Sequence, residues 1–144
     1  KQCNCRDKSS CPLNGNCLQN CIIYNTLVKS SESEINYLGA SERPFKERYR
    51  NHTKSFRNRR YETDTELSKY IWHLKDKNEN YKETWSIVAT ALPYICGTRR
   101  CDLCLTEKLL IIKADPKTLL NQRSELVSKC RHRNKFTLKC FEKT

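Results

Sequence analysis

The sequence predicts a small α/β domain of the α+β kind: a three-stranded, mostly antiparallel sheet flanked by helices in the order β-β-α-α-β-α, behind a cysteine-rich N-terminal segment. Three observations carry this. Residues 22–29, 35–40 and 82–92 are rich in β-branched and apolar side chains, as strands are. Between and after them, apolar residues recur at helical spacing. The chain has 144 residues, enough for one compact domain around one core.

Each element follows in order. Residues 1–21 are polar and loop-like, with Pro12, Asn14 and Gly15 as turn formers. The strand at 22–29 is followed by a Ser/Glu turn at 30–34 and the strand at 35–40, an arrangement that predicts a hairpin. Pro44 is placed to open a helix, because its missing N–H costs nothing in the first turn. Phe45, Tyr49, His52 and Phe56 form that helix's stripe, and the basic loop Asn58-Arg59-Arg60 ends it. Thr63 and Glu66 have the spacing of a capping box for a second helix, whose stripe is Leu67, Tyr70, Ile71 and Leu74. In the third strand Trp85, Ile87, Ala89 and Ala91 alternate onto one face. A third helix is expected over 101–114, stopped near Pro116, with a further helical turn holding Leu119 and Leu120. The division predicted is 1–21, 22–123 as the core, and a basic tail at 124–144.

Charge narrows the partners. The formal net charge is +12, from 28 Lys and Arg against 16 Asp and Glu, which favours a polyanion such as nucleic acid or an anionic surface. No run of about 18 apolar residues offers a membrane span. The chain starts at Lys1 and contains no Met, and is expected to be a piece of a longer polypeptide. Ten cysteines admit two chemistries, a disulfide scaffold or reduced metal pairs. The spacings Cys11-x5-Cys17 and Cys101-x2-Cys104 favour zinc and a nuclear or cytoplasmic setting. Cys11, Cys17, Cys101 and Cys104 are the expected four ligands, with Cys3 and Cys5, or Cys130 and His132, as alternatives for one half.

Several residues stand out chemically. On the third helix Glu107 falls among Leu103, Leu110, Ile111 and Ala114, opposite a wet face of Asp102, Thr106 and Lys113. A carboxylate there needs either a cationic partner or a metal. Tyr24 and Tyr37 sit one on each hairpin strand, and Gly39 leaves room where a side chain would obstruct a ligand. Arg48 and His52 are four apart on one helix and so are neighbours. Two phenols, an arginine and a histidine near one acid suit phosphodiester chemistry; ordinary strand tyrosines and a packed histidine are the plainer account of the same residues.

The ordered set Ile22-Ile23-Tyr24, Tyr37-Leu38-Gly39, Arg48-x3-His52, Glu107 and Asn121 resembles the GIY-YIG endonuclease domain. The segments Thr65-Glu66-Leu67-Ser68-Lys69, Cys104-Leu105-Thr106-Glu107-Lys108 and Leu120-Asn121-Gln122-Arg123-Ser124-Glu125-Leu126 are similar to the nucleases of Penelope-like retroelements. Ile22 replaces the first glycine of the signature, and Leu38 its fifth residue. The resemblance implies a DNA nickase that leaves a 3′-hydroxyl to prime a fused reverse transcriptase. It implies Mg2+ or Mn2+ on Glu107, Arg48 on the scissile phosphate, and Tyr24 as general base. Tyr37 would hold phosphate or water, His52 would orient or relay protons, and Asn121 would hold the metal site or the strand end. The basic residues Lys46, Arg50, Lys54, Arg57, Arg59 and Arg60 would track the DNA backbone. The alternative is a catalytically silent nucleic-acid-binding zinc module of the same fold.

Overall fold

In a computed structural model, which describes residues 2–94 and 101–122, the fold is α+β. Strands β1 (Ile22–Ser30) and β2 (Glu34–Ser41) form the hairpin, α1 spans Phe45–Arg57 and α2 Glu66–Asp76, β3 is Tyr81–Thr90, and α3 is Asp102–Lys113. The sheet is antiparallel throughout with order β2-β1-β3, so the first strand is central. The residues expected at 124–144, with Cys130 and His132, lie outside the described residues.

The strand pleat sorts alternate residues of β1 onto two faces. Ile22, Tyr24 and Val28 join Tyr37, Trp85, Phe45 and Phe56 of α1, and Leu67, Ile71 and Leu74 of α2 in one core. Ile23 joins Leu38, Ala40, Leu103 and Ile111 in a second core, beneath α3. The N-terminal segment is not a separate appendage: Cys3, Cys11, Leu13 and Cys17 are buried in the first core.

Four local readings are corrected. Pro44 is the N-cap residue of α1 rather than its first helical residue. The capping box of α2 belongs to Thr65 and Ser68, not Thr63 and Glu66: the Thr65 hydroxyl accepts from the Ser68 N–H at 3.0 Å, and the Ser68 hydroxyl accepts from the Thr65 N–H at 3.0 Å. The start shifts because Asn58 has already capped a short 3-10 turn at Arg59–Tyr61. A second 3-10 turn, Pro116–Thr118, ends before Leu119, which is extended and bridges in parallel to Asn36 on the free edge of β2. Glu107 is half-buried, whereas its neighbour Lys108 is buried, and Leu109 and Ile112 are exposed, so the single apolar stripe read from the wheel does not describe α3.

Gly39 has a reason other than ligand access. A Cβ there would overlap the phenol of Tyr24, its partner across the hairpin. Tyr24 has no exposed surface, and close-packed interiors leave a ring little room to retreat. Gly39→Ala is therefore expected to lower stability by about 1–3 kcal/mol, the usual range for overpacking a core, and to displace the Tyr24 ring. Thermal unfolding, together with loss of the Tyr24 hydroxyl contact in a crystal structure, checks this; an unchanged melting temperature would refute it.

Candidate active site and cysteine centre

Tyr24 is the pivot of the first cluster. Its buried ring is edge-on to Phe45 at 5.0 Å and to His52 at 5.8 Å. A buried hydroxyl needs a partner, and here it lies 2.7 Å from Nε2 of His52. His52 is brought there by the helical period that also buries Phe45 and Phe56 on the same stripe of α1. Burial, assisted by the neighbouring Arg48 charge, pushes the His52 pKa down to about 3. The imidazole is thus neutral near pH 7, with a ring nitrogen able to accept the Tyr24 hydroxyl proton.

Arg48, one turn earlier, draws the rest together. Burial works against its charge, but Tyr24, through both its charge and a side-chain hydrogen bond, and then Tyr37 and Glu107, outweigh that and raise its pKa. Side chains from β1, β2 and α3 therefore all act on one guanidinium from α1. Its Nε is buried and has no hydrogen-bond partner among the described residues. Arginine's planar fork of donors suits phosphate. The acid on α3 and the two phenols supply oxygens, the donor type that hard divalent cations prefer.

Asn121 braces the strand that carries Tyr37. Its side-chain oxygen accepts from the Leu38 N–H at 2.8 Å and its amide donates to the Leu38 carbonyl at 2.8 Å. Leu120 N–H also donates to Asn36 O at 2.8 Å. Residues 119–121 thereby cover the outer edge of β2, where backbone groups would otherwise lack partners.

A second cluster lies in the N-terminal segment. Cys3, Cys5, Cys11 and Cys17 bring their sulfurs within 4.8 Å of one another. Cys17 Sγ is 3.6 Å from Cys3 Sγ and 3.7 Å from Cys5 Sγ. A tetrahedral zinc with sulfurs at about 2.3 Å would hold them roughly 3.8 Å apart. None of the seven cysteines among the described residues is in a disulfide. The quartet could hold a metal such as zinc. Burial opposes the Cys11 thiolate, but the Leu13 and Gly15 backbone N–H groups and the thiols of Cys3 and Cys17 bring its pKa down to about 6. Burial and the surrounding thiols push Cys17 up to about 12. Asn14 and Gly15, both at positive φ, make the turn that aims those two N–H groups at the Cys11 sulfur.

The expected grouping of Cys11 and Cys17 with Cys101 and Cys104 is thus corrected. Cys11 and Cys17 pair with Cys3 and Cys5 on the α1 face, while Cys101 is buried with Ile23, Leu38 and Ala40 on the opposite face. The sheet stands between them. The Cys3-x-Cys5 spacing was the signal that could have identified the first half of the quartet. The quartet also grips the start of α1: Phe45 N–H donates to Gln19 O at 2.9 Å and Lys46 N–H to Cys17 O at 2.8 Å.

The basic residues divide. Arg50, Lys54, Arg57 and Arg60 are exposed. Arg59 is also exposed, but its guanidinium is paired with both oxygens of Asp76, at 2.8 and 2.7 Å, and lies over Trp72. Lys46 donates to Asn4 Oδ1 and Cys5 Sγ, which ties it to the cysteine quartet. Among the described residues no helix is long and apolar enough to cross a membrane. The chain matches no family model, no curated protein and no solved structure.

Two outcomes follow. Because His52 titrates near 6.5 when unfolded and near 3 when folded, the unfolded chain binds the extra proton between those values, so stability falls as pH drops through that window. Each pH unit inside it removes up to about 1.4 kcal/mol. Denaturant unfolding between about pH 4 and 6 should show a shallower slope in His52→Gln than in the native chain; equal slopes would refute a buried neutral His52. Separately, titration of Co2+ into the metal-free chain is expected to produce a thiolate-to-cobalt absorption band that saturates at one equivalent. Cys17→Ser should weaken it sharply, and Cys101→Ser should leave it intact; the reverse pattern would restore the ligand set first expected.

Proposed function

We propose that this chain is a metal-dependent DNA endonuclease of the GIY-YIG type that nicks a phosphodiester to leave a 3′-hydroxyl. The observation that supports this most is the action of Tyr24, Tyr37 and Glu107 on the single guanidinium of Arg48, with His52 bonded to Tyr24. The net charge of +12 fits a polyanionic substrate. A role beside a reverse transcriptase, in retroelement integration and in the nucleus, follows from the Penelope-like segments alone.

In this reading the Arg48 guanidinium binds a non-bridging oxygen of the scissile phosphate. Tyr24 acts in its ionised form beside the Arg48 guanidinium, taking a proton from the attacking water, while the neutral His52 ring fixes its orientation through Nε2. The water oxygen bonds to phosphorus, the bond to the 3′ oxygen breaks, and the products are a 5′-phosphate and a 3′-hydroxyl. Tyr37 orients the phosphate, and Asn121 holds its strand in place. A single carboxylate, Glu107, fits Mg2+ or Mn2+, which commonly bind one or two carboxylates together with substrate phosphate. Such an ion, when bound, would offset charge developing on the phosphate and the leaving oxygen. Cys3, Cys5, Cys11 and Cys17 would hold a structural zinc, which would brace the first turn of α1 and hence Arg48.

Supercoiled plasmid with Mg2+ tests the proposal. The native chain is expected to convert it to the open-circular form, and Glu107→Ala and Arg48→Ala to be slower by about 100-fold or more each. Full activity in Glu107→Ala would remove the metal assignment. DNA binding with no nicking under any divalent metal would favour the silent zinc module instead.

A further inference from the structure

Beside the reacting cluster lies a cavity of about 290 Å3 that the chemistry above leaves unused. Arg48 and His52 form its inner wall, Asn51 and Lys54 continue along α1, and Tyr61 and Asp64 face them from the loop before α2. Sharing Arg48 and His52 places any occupant next to the scissile phosphate. Its volume is at the small end of ligand sites, roughly 300 Å3, which suits one nucleotide and no more.

The charges say which part of a nucleotide goes where. Lys54 holds its ammonium 4.7 Å from the centre of the Tyr61 ring, so the cavity has a cation besides Arg48 for a neighbouring phosphate. Asp64 would repel a phosphate, yet it lines the same cavity. What a carboxylate can accept from on a nucleotide is an amino or ring N–H group at the edge of a base. Asn51 can both donate to and accept from such an edge. A cavity of this size can enclose a base only when that base has left the stack, as in other enzymes that draw one nucleotide into a pocket.

We propose that this cavity is a nucleotide subsite that takes the base adjacent to the cleaved bond out of the stack, with Asp64 and Asn51 selecting a base that carries an exocyclic amine over thymine. This rests on the nuclease reading for its place beside the reaction, but the subsite can be tested without cleavage.

Two measurements decide it. First, nick positions are mapped on a plasmid library with random flanks. Thymine should be depleted about fivefold or more at one position beside the nick, and Asp64→Ala, which removes the acceptor, should flatten that bias while still nicking. Second, without added magnesium, short single-stranded oligonucleotides with one adenine or cytosine in a thymine run should bind more tightly than pure thymine. Asp64→Ala should abolish that difference. Nicking with no base bias, or with a bias unchanged in Asp64→Ala, would overturn the subsite and leave the nuclease intact. If the native chain does not nick, the nuclease reading fails, and the binding measurement alone decides: a preference lost in Asp64→Ala supports the subsite, and equal binding overturns it.

Discussion

A phenol with no exposed surface must find its hydrogen-bond partner inside the protein, and for Tyr24 that partner is the His52 ring on a different element. This contact couples the central strand to α1. It requires a glycine opposite, because any side chain at residue 39 would occupy the space of the ring. It also requires a neutral imidazole, which burial and the adjacent Arg48 enforce. The residues assigned to chemistry and the residues that set the packing of the sheet against α1 are therefore in part the same. Changes here should be read with stability and activity measured side by side.

The helix that carries Arg48 and His52 is held at both ends. At its start, backbone N–H groups of Phe45 and Lys46 donate to carbonyls of Gln19 and Cys17, inside the cysteine-rich segment. These are among the first N–H groups of the helix, which have no partners within it. At its far end, Trp72 of α2 donates to the Ser55 carbonyl at 2.7 Å, and Arg59 just beyond is locked to Asp76. A metal in the quartet would stiffen the first of these anchors, since its four sulfurs already lie within 4.8 Å of one another. The N-terminal segment is thus part of the framework that aims the guanidinium.

Sequence patterning exposed the hairpin and the stripes of α1 and α2, because period-two and period-3.6 patterns report burial directly. The single face read for the third strand holds only as far as Ile87: a register shift opposite Ile23 and Tyr24 turns Ala89 and Ala91 to the α3 side. Leu67, Ile71 and Leu74 are buried as their spacing requires. The pattern misled where burial is not one-sided. On α3 a charged residue, Lys108, is buried while Leu109 and Ile112 face outward, so a wheel that assumes one dry face could not describe it. Thr63 and Thr65 both precede α2 by a few residues, and only the preceding 3-10 turn at Arg59–Tyr61 decides which one caps it.

By itself the sequence determined the class of fold, the order of its elements and the residue types available to act: two strand tyrosines, an arginine and histidine one helical turn apart, an acid on α3 and an excess of positive charge. These are local or compositional properties, and local periodicity is enough to read them. Which groups meet was decided only in three dimensions. Cys11 and Cys17 join Cys3 and Cys5 rather than Cys101 and Cys104 because the N-terminal segment packs on the α1 face of the sheet while Cys101 packs with α3 on the other. Asn121 reaches the backbone of Leu38, and Glu107 reaches the field of Arg48, across spans of chain far too long for any spacing rule. Contacts between residues so distant in sequence depend on how faces pack, and no one-dimensional pattern encodes that.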